Sequence, residues 1–478
     1  MTSSRRTFLR GAAGLSGVAL GIAPSQSRGD VSAPAAQPSP PPTRRTLTGI
    51  DPKNVVESYR SRALHELSDR QLFDAAAAVV AEPKKAEDSF TIHAPLELVA
   101  RFGLLPLVAP KDAELARIQI VASAAVYQEQ GNGVGPAAAR NPFPDRRTAT
   151  RDVAVALAKG DQQGLEAAVL QLGKQFGVPV VVQTLTPLLL PSLTLASHSH
   201  IGLWLLLRHG GGADVRDVSL LRTALASAAA DPKARLSSFS GMDMRGRRSL
   251  GMTPAQVQAE VLARLKRPPQ GTPGKGNIRG IIEAGERSGA PDRLFGDLMR
   301  KDLDDGAVEA AFSAIMRTGA HIMVQEGETD AHRFTLAQAA CGLSSWHLER
   351  KLALASALVW ITAYRSRSTK VLDFQFEPEP VSGIGLREAL EAGPSVASGR
   401  FWHADPREIT DMQTALATEA SVRGSQHVVK YTRACFDMCG LDPASWRLYL
   451  AAAATLIGKT IPKRPRNSPL EQLPDMRG

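Results

Sequence analysis

Residues 161–177 read DQQGLEAAVLQLGKQFG, and the pattern in this stretch decides the class of fold. Asp161 is a helix-capping residue type, Leu165, Val169, Leu172 and Phe176 follow at helical spacing, and Gly177 is a stop. The same grammar recurs elsewhere. Asp405-Pro406, with Glu408 three residues after Asp405, predicts a helix that turns Ile409, Met412 and Leu416 toward a core. Asp442-Pro443 predicts another, with Trp446, Tyr449, Leu450 and Ala453 on its buried face. Residues 352–364 are apolar nearly all round, as a central helix is. Strand-like sequence is limited to the short β-branched run Val180-Val181-Val182, just after Pro179. The longest apolar region, 178–207, is broken by Gln183, Pro187, Pro191, His198 and His200, so it reads as a buried hairpin of helices and not as a membrane span.

The chain has 478 residues, of which 43% are hydrophobic and 5% aromatic, with three cysteines and a formal charge of +10. Scarce aromatics and Ala-rich runs favour close-packed helices over a β-sandwich. Three cysteines cannot form a disulfide framework, so the apolar core must hold the fold. The predicted class is therefore all-α: a large helical bundle-like domain enclosing an apolar, histidine-lined pocket.

Ser4-Arg5-Arg6-Thr7-Phe8-Leu9-Arg10, followed by a weakly apolar stretch to Ala23, reads as a twin-arginine export signal over residues 1–28. Its apolar part, about 13 residues, falls short of the roughly 20 needed to span a bilayer, so it is a removable address and not a stable membrane anchor. Residues 29–50 form a Pro-rich linker, 51–460 a helical domain with a loop at 267–280, and 461–478 a flexible basic tail. The expected partners include the twin-arginine translocation machinery, and the expected location is periplasmic or secreted. Cleavage near Arg28 removes four arginines and no acid, which lowers the charge to about +6 and takes away the main support for a nucleic-acid partner. Export also implies folding, and any cofactor loading, before translocation.

Several enzyme signatures are absent: no dinucleotide or phosphate loop, no nucleophile elbow, no paired zinc histidines of the His-Glu-x-x-His kind, and no Glu-x-x-His pairs for a di-iron site. The histidines are more informative. His198 and His200 lie inside the apolar region beside Trp204; they share a side if the segment is extended and diverge by about 200° on a helix. Buried imidazoles need partners, so the pair is either a polar site in a dry pocket or a cap and a carbonyl donor. His332 precedes Thr335 by three residues in a first helical turn behind Asp330, where an imidazole is biased toward neutral and suits a base, or simply caps. His427, Tyr431, Cys435 and Met438 form one stripe, with Cys439 one turn beyond Cys435; the two thiols could touch a metal or sit as small apolar residues. His93, four before Glu97, begins a helix that faces inward.

Four of these places, taken in order, resemble the questin oxidase-like family. They are residues 93–103 (HAPLELVARFG), His200-Ile201-Gly202, His332-Arg333-Phe334-Thr335 and Gln426-His427-Val428-Val429-Lys430. The family's first histidine in the middle motif falls on Ala196 here, with His198 two residues further on. The resemblance implies an oxidoreductase, a monooxygenase that oxidises an aromatic polyketide-like small molecule in a Baeyer-Villiger-type reaction, with NADPH as cofactor. On this reading the catalytic residues are His93, His200, His332 and His427, and Thr335, Tyr431, His198 and Trp204 bind substrate. Two alternatives stand beside it: a metal ion held by the same imidazoles, and a non-catalytic envelope protein that binds a hydrophobic ligand.

Overall fold

The computed structural model describes residues 47–85, 89–193, 198–210, 215–236, 252–268, 280, 282–283, 298, 303–327, 331–344, 350–368 and 370–460. The export signal, most of the linker, the loop core at 269–279, the Asp330 cap, Ala196 and the basic tail lie outside the described residues.

The described chain is all-α. Its first part contains α1 (Val55–Ser61), α2 (Asp69–Val80), α3 (Ser89–Leu104) and α4 (Ala113–Glu129). Next come α5 (Arg146–Lys159), α6 (Gln162–Phe176), α7 (Val178–Leu189) and α8 (His198–His209), then α9 (Val215–Val218), α10 (Arg222–Ala230) and α11 (Pro254–Leu265). The last part has α12 (Asp305–Glu326), α13 (His332–Ser344), α14 (Arg350–Arg365), α15 (Leu386–Ala392) and α16 (Pro394–Trp402). It ends with α17 (Ile409–Arg423), α18 (Gln426–Leu441) and α19 (Trp446–Thr460). Extended pairing among the described residues is limited to two isolated bridges, Lys84 with Gly133 and Ser192 with Arg235.

Local chemistry explains the helix ends. The Asp161 carboxylate accepts from the Gly164 N–H at 2.9 Å and starts α6. Asp405 and Glu408 form a reciprocal capping box ahead of α17. Gly177, at φ +83°, separates α6 from α7, in a region that disfavours side chains with a Cβ.

The β-branched run at 180–182 is a correction to the sequence reading: it lies in α7, not in a strand. Pro179 pre-sets the first helical turn, and Val181 and Val182 are fully buried, so packing overrides the weak β preference. The hairpin expectation holds, since α7 packs on α8. Helix α14 is buried on almost every side, with Trp360 at its centre, and packs on α12 and α13. No described helix is long and apolar enough to cross a membrane.

Four helices, α3, α8, α13 and α18, make a closed ring. α3 packs on α8 and α18, and α13 packs on the same two. Each carries one of the predicted histidines near its N-terminal end.

Candidate metal centre

His93 lies in the second turn of α3, His198 and His332 are the first residues of α8 and α13, and His427 is the second residue of α18. The N-terminal end of a helix carries partial positive charge and disfavours imidazolium. His332 and His427, in the first turns of their helices, sit where this bias favours the neutral form, which binds metals.

The Nε2 atoms of His93, His198 and His332 converge. His93 and His198 are 2.9 Å apart, His198 and His332 3.0 Å, and His93 and His332 3.1 Å. All three side chains are buried. His427 closes the arrangement, its ring centroid 4.6 Å from that of His93 and 4.7 Å from that of His332. The remaining neighbours in this group of four rings are 4.6 Å apart for His93 and His198, 4.9 Å for His198 and His332, and 5.3 Å for His93 and His332.

A triangle of three nitrogens has a simple constraint. Each Nε2 of a neutral imidazole either donates or accepts, so at least one of the three pairs must set donor against donor or lone pair against lone pair. Hydrogen bonds alone cannot satisfy the cluster. One cation in contact with all three lone pairs can. With metal–nitrogen bonds of roughly 2.1 Å, ligands at right angles stand about 3.0 Å apart and tetrahedral ones about 3.4 Å. The observed 2.9–3.1 Å fits three adjacent corners of an octahedron.

The surroundings hold this geometry. Glu97, one turn beyond His93, takes the Arg101 guanidinium at 2.7 Å and a hydrogen bond from the Ser123 hydroxyl. Arg101 also donates to the carbonyls of Ser421 and Gly424, at the end of α17 and in the turn that leads to His427. A small cavity of about 10 Å³, room for roughly one water-sized molecule, borders His198 and is lined mainly by Ile92, Pro95, Leu96, Gly202 and Leu221.

Scans against protein-family models, curated proteins and solved structures match this chain to none of them. The chemistry of the site is therefore read from its geometry.

Of the eight residues expected at the site, four form the cluster, but they are not the four expected as catalytic. His198 belongs to it and His200 does not. On α8 the two point apart, and His200 donates from Nε2 to the Leu189 carbonyl at 2.7 Å while its ring meets the edge of Trp360. Burial pushes its pKa down to about 4. Thr335 turns its hydroxyl back onto its own helix and donates to the carbonyls of Ala331 and His332. The Tyr431 ring packs on Phe334 at 4.8 Å, fully buried one turn past His427, and burial raises its phenol well above the usual range. Trp204 donates from Nε1 to Asp437 at 3.2 Å. Cys435 and Cys439 are buried, and burial raises both thiols, so they are small packing residues. The sequence reading missed Glu97, Arg101 and Asp437. Glu97 with Arg101 and Asp437 with Arg433 were visible as i,i+4 pairs, whereas the contacts of Asp437 with Trp204 and His209 carry no local signal, because those partners come from α8.

Proposed function

We propose that this chain is an exported, metal-dependent oxidoreductase that acts on an aromatic, polyketide-like small molecule. A divalent first-row transition ion, held by His93, His198 and His332, is its centre. The observation that carries the reading is the triangle of Nε2 atoms at 2.9–3.1 Å, which hydrogen bonding cannot satisfy. A neutral, all-imidazole donor set suits iron, copper, nickel or zinc. Iron(II) is the first choice among these, because oxidation of the proposed substrate would need a redox-active ion. Such an ion, when bound, supplies one-electron exchange and a place for dioxygen.

The protein's own groups do the rest. Three imidazoles would hold the ion at one end of the helical ring, and the apolar residues around His198 keep bulk water away, which strengthens polar interactions inside. His427 stands next to the triad and takes the proton released when a bound phenol ionises. The resulting phenolate feeds electron density to the ring carbon that is oxidised.

The test expresses the full 478-residue chain and recovers its exported product from the periplasm or medium of a bacterial host, with Arg5→Lys/Arg6→Lys expected to hold it in the cytoplasm. Elemental analysis should find close to one iron per chain. His93→Ala, His198→Ala and His332→Ala should each lose the ion, whereas His427→Ala should keep it and lose turnover of hydroxyanthraquinones by 10²-fold or more, the usual scale of a general base. A folded wild-type chain that takes up none of iron, manganese, cobalt, nickel, copper or zinc would overturn the proposal.

A further inference from the structure

The four histidine-bearing helices meet a second time, ten residues further along α3, α13 and α18, or about 15 Å at 1.5 Å per residue. The centre of this meeting is Asp437 on α18. Its Oδ2 accepts from Trp204 Nε1 at 3.2 Å and from His209 Nε2 at 3.1 Å, both on α8. Its Oδ1 accepts from Arg433 at 2.9 Å. The other arm of Arg433 donates to the Gly103 carbonyl on α3 at 3.0 Å. Gly103 lies against the His209 ring so closely that a Cβ there would stand 3.0 Å from Cγ. Helix α13 joins through Gly342, which lies on the Trp204 indole, where a Cβ would be 2.4 Å from Cε3. One carboxylate, the groups it binds and two glycine contacts thus tie together every helix that brings an imidazole to the triad.

We propose that Asp437 is a positioning residue for the metal centre: it sets the register of α3, α8 and α13 against α18 and thereby the spacing of the imidazoles. The inference rests on the metal-centre reading above. Helices are stiff, and packed interfaces hold discrete arrangements, so a slide or rotation at Asp437 is carried to the N-terminal turns. Metal–ligand distances tolerate only about 0.2 Å, which makes the triad sensitive to such a shift. Charge-assisted bonds from Arg433, with further donors on the same buried carboxylate, make this a rigid clamp. An Asn at this position keeps the shape but turns an NH₂ toward at least one donor that the carboxylate now accepts from.

The experiment loads the full chain with cobalt(II) and reads its visible absorption and dissociation constant. Asp437→Asn should weaken cobalt binding by less than the roughly 10- to 100-fold that loss of a group bonded directly to a ligand costs, and should change the band pattern. Trp204→Phe, which removes a single donor, should shift the bands in the same direction by less, and it decides the matter if Asp437→Asn does not fold. Asp442→Asn is the control. Asp442, the C-cap of α18, is a comparably buried carboxylate whose partners lie on helices outside the ring: Arg317 of α12 at 2.9 Å and Tyr449 of α19 at 2.8 Å. It should cost stability and leave the cobalt spectrum unchanged. If wild type binds cobalt and the Asp437 and Trp204 variants bind it with unchanged bands and affinity, the positioning role is wrong and the metal centre stands. If wild type binds no cobalt, the metal reading falls first and the positioning role falls with it.

Discussion

The two histidines of the Ser197-His198-Ser199-His200 stretch show how a single residue's place in a helix decides its chemistry. Resemblance by register favours His200 as the functional member. Helical geometry separates the pair by about 200° and sends only one of them to the ring of four helices. That one is His198. His200 is a core residue held neutral, and its consequence is a pH dependence of stability. Its folded pKa, about 4, lies below the ordinary value of 6.5, so the unfolded chain takes up the proton first. The stabilising contribution is complete above pH 6.5 and is lost as pH falls toward 4, by at most roughly 3 kcal/mol. Urea denaturation at pH 7.0, 5.5 and 4.5 should show stability falling over this range, and His200→Gln should flatten the slope. His321, which burial also pushes down to about 4, supplies part of the slope that remains. An unchanged slope in the variant would mean that the His200 ring titrates normally. The same variant should keep its metal.

At the scale of elements, the helix caps were legible and the contacts between helices were not. Asp161, Asp405 and Gly177 act within four residues of themselves, so their chemistry is written locally. The valines at 180–182 were misread because β preference is weak and their burial in α7 is a tertiary fact. Gly342 is the clearest case of a residue with no local meaning. Inside α13 a glycine costs roughly 1 kcal/mol relative to alanine, so helix preference alone predicts that Gly342→Ala stabilises. The Trp204 ring opposes it, since a Cβ at 2.4 Å from Cε3 forces α8 and α13 apart. Overpacking of this kind costs about 1–3 kcal/mol, more than the preference returns. Thermal melting should therefore place the midpoint of Gly342→Ala below that of wild type, and a higher midpoint would show that the α8–α13 contact can yield.

The whole molecule closes its centre from histidines spread over more than three hundred residues of sequence, and this long range limits what sequence alone can say. Residues 93, 198, 332 and 427 belong to no common spacing, so only their order against a family pattern could suggest that they meet. That all four helices do meet has a global consequence. The proposed ion, held by α3, α8 and α13, would bridge segments that share no local contact in the unfolded chain, and so would bind the native state and not the denatured one. Linkage then sets the effect: at a free-metal concentration about a thousand times the dissociation constant, the native state gains roughly 4 kcal/mol. Stripping the ion with a chelator should lower the melting temperature by several degrees, and adding iron(II) or cobalt(II) should restore it. His332→Ala provides the internal check, because its melting temperature should already be low and should respond to neither chelator nor metal. A chelator effect that persists in His332→Ala would locate the stabilising ion somewhere other than between these helices.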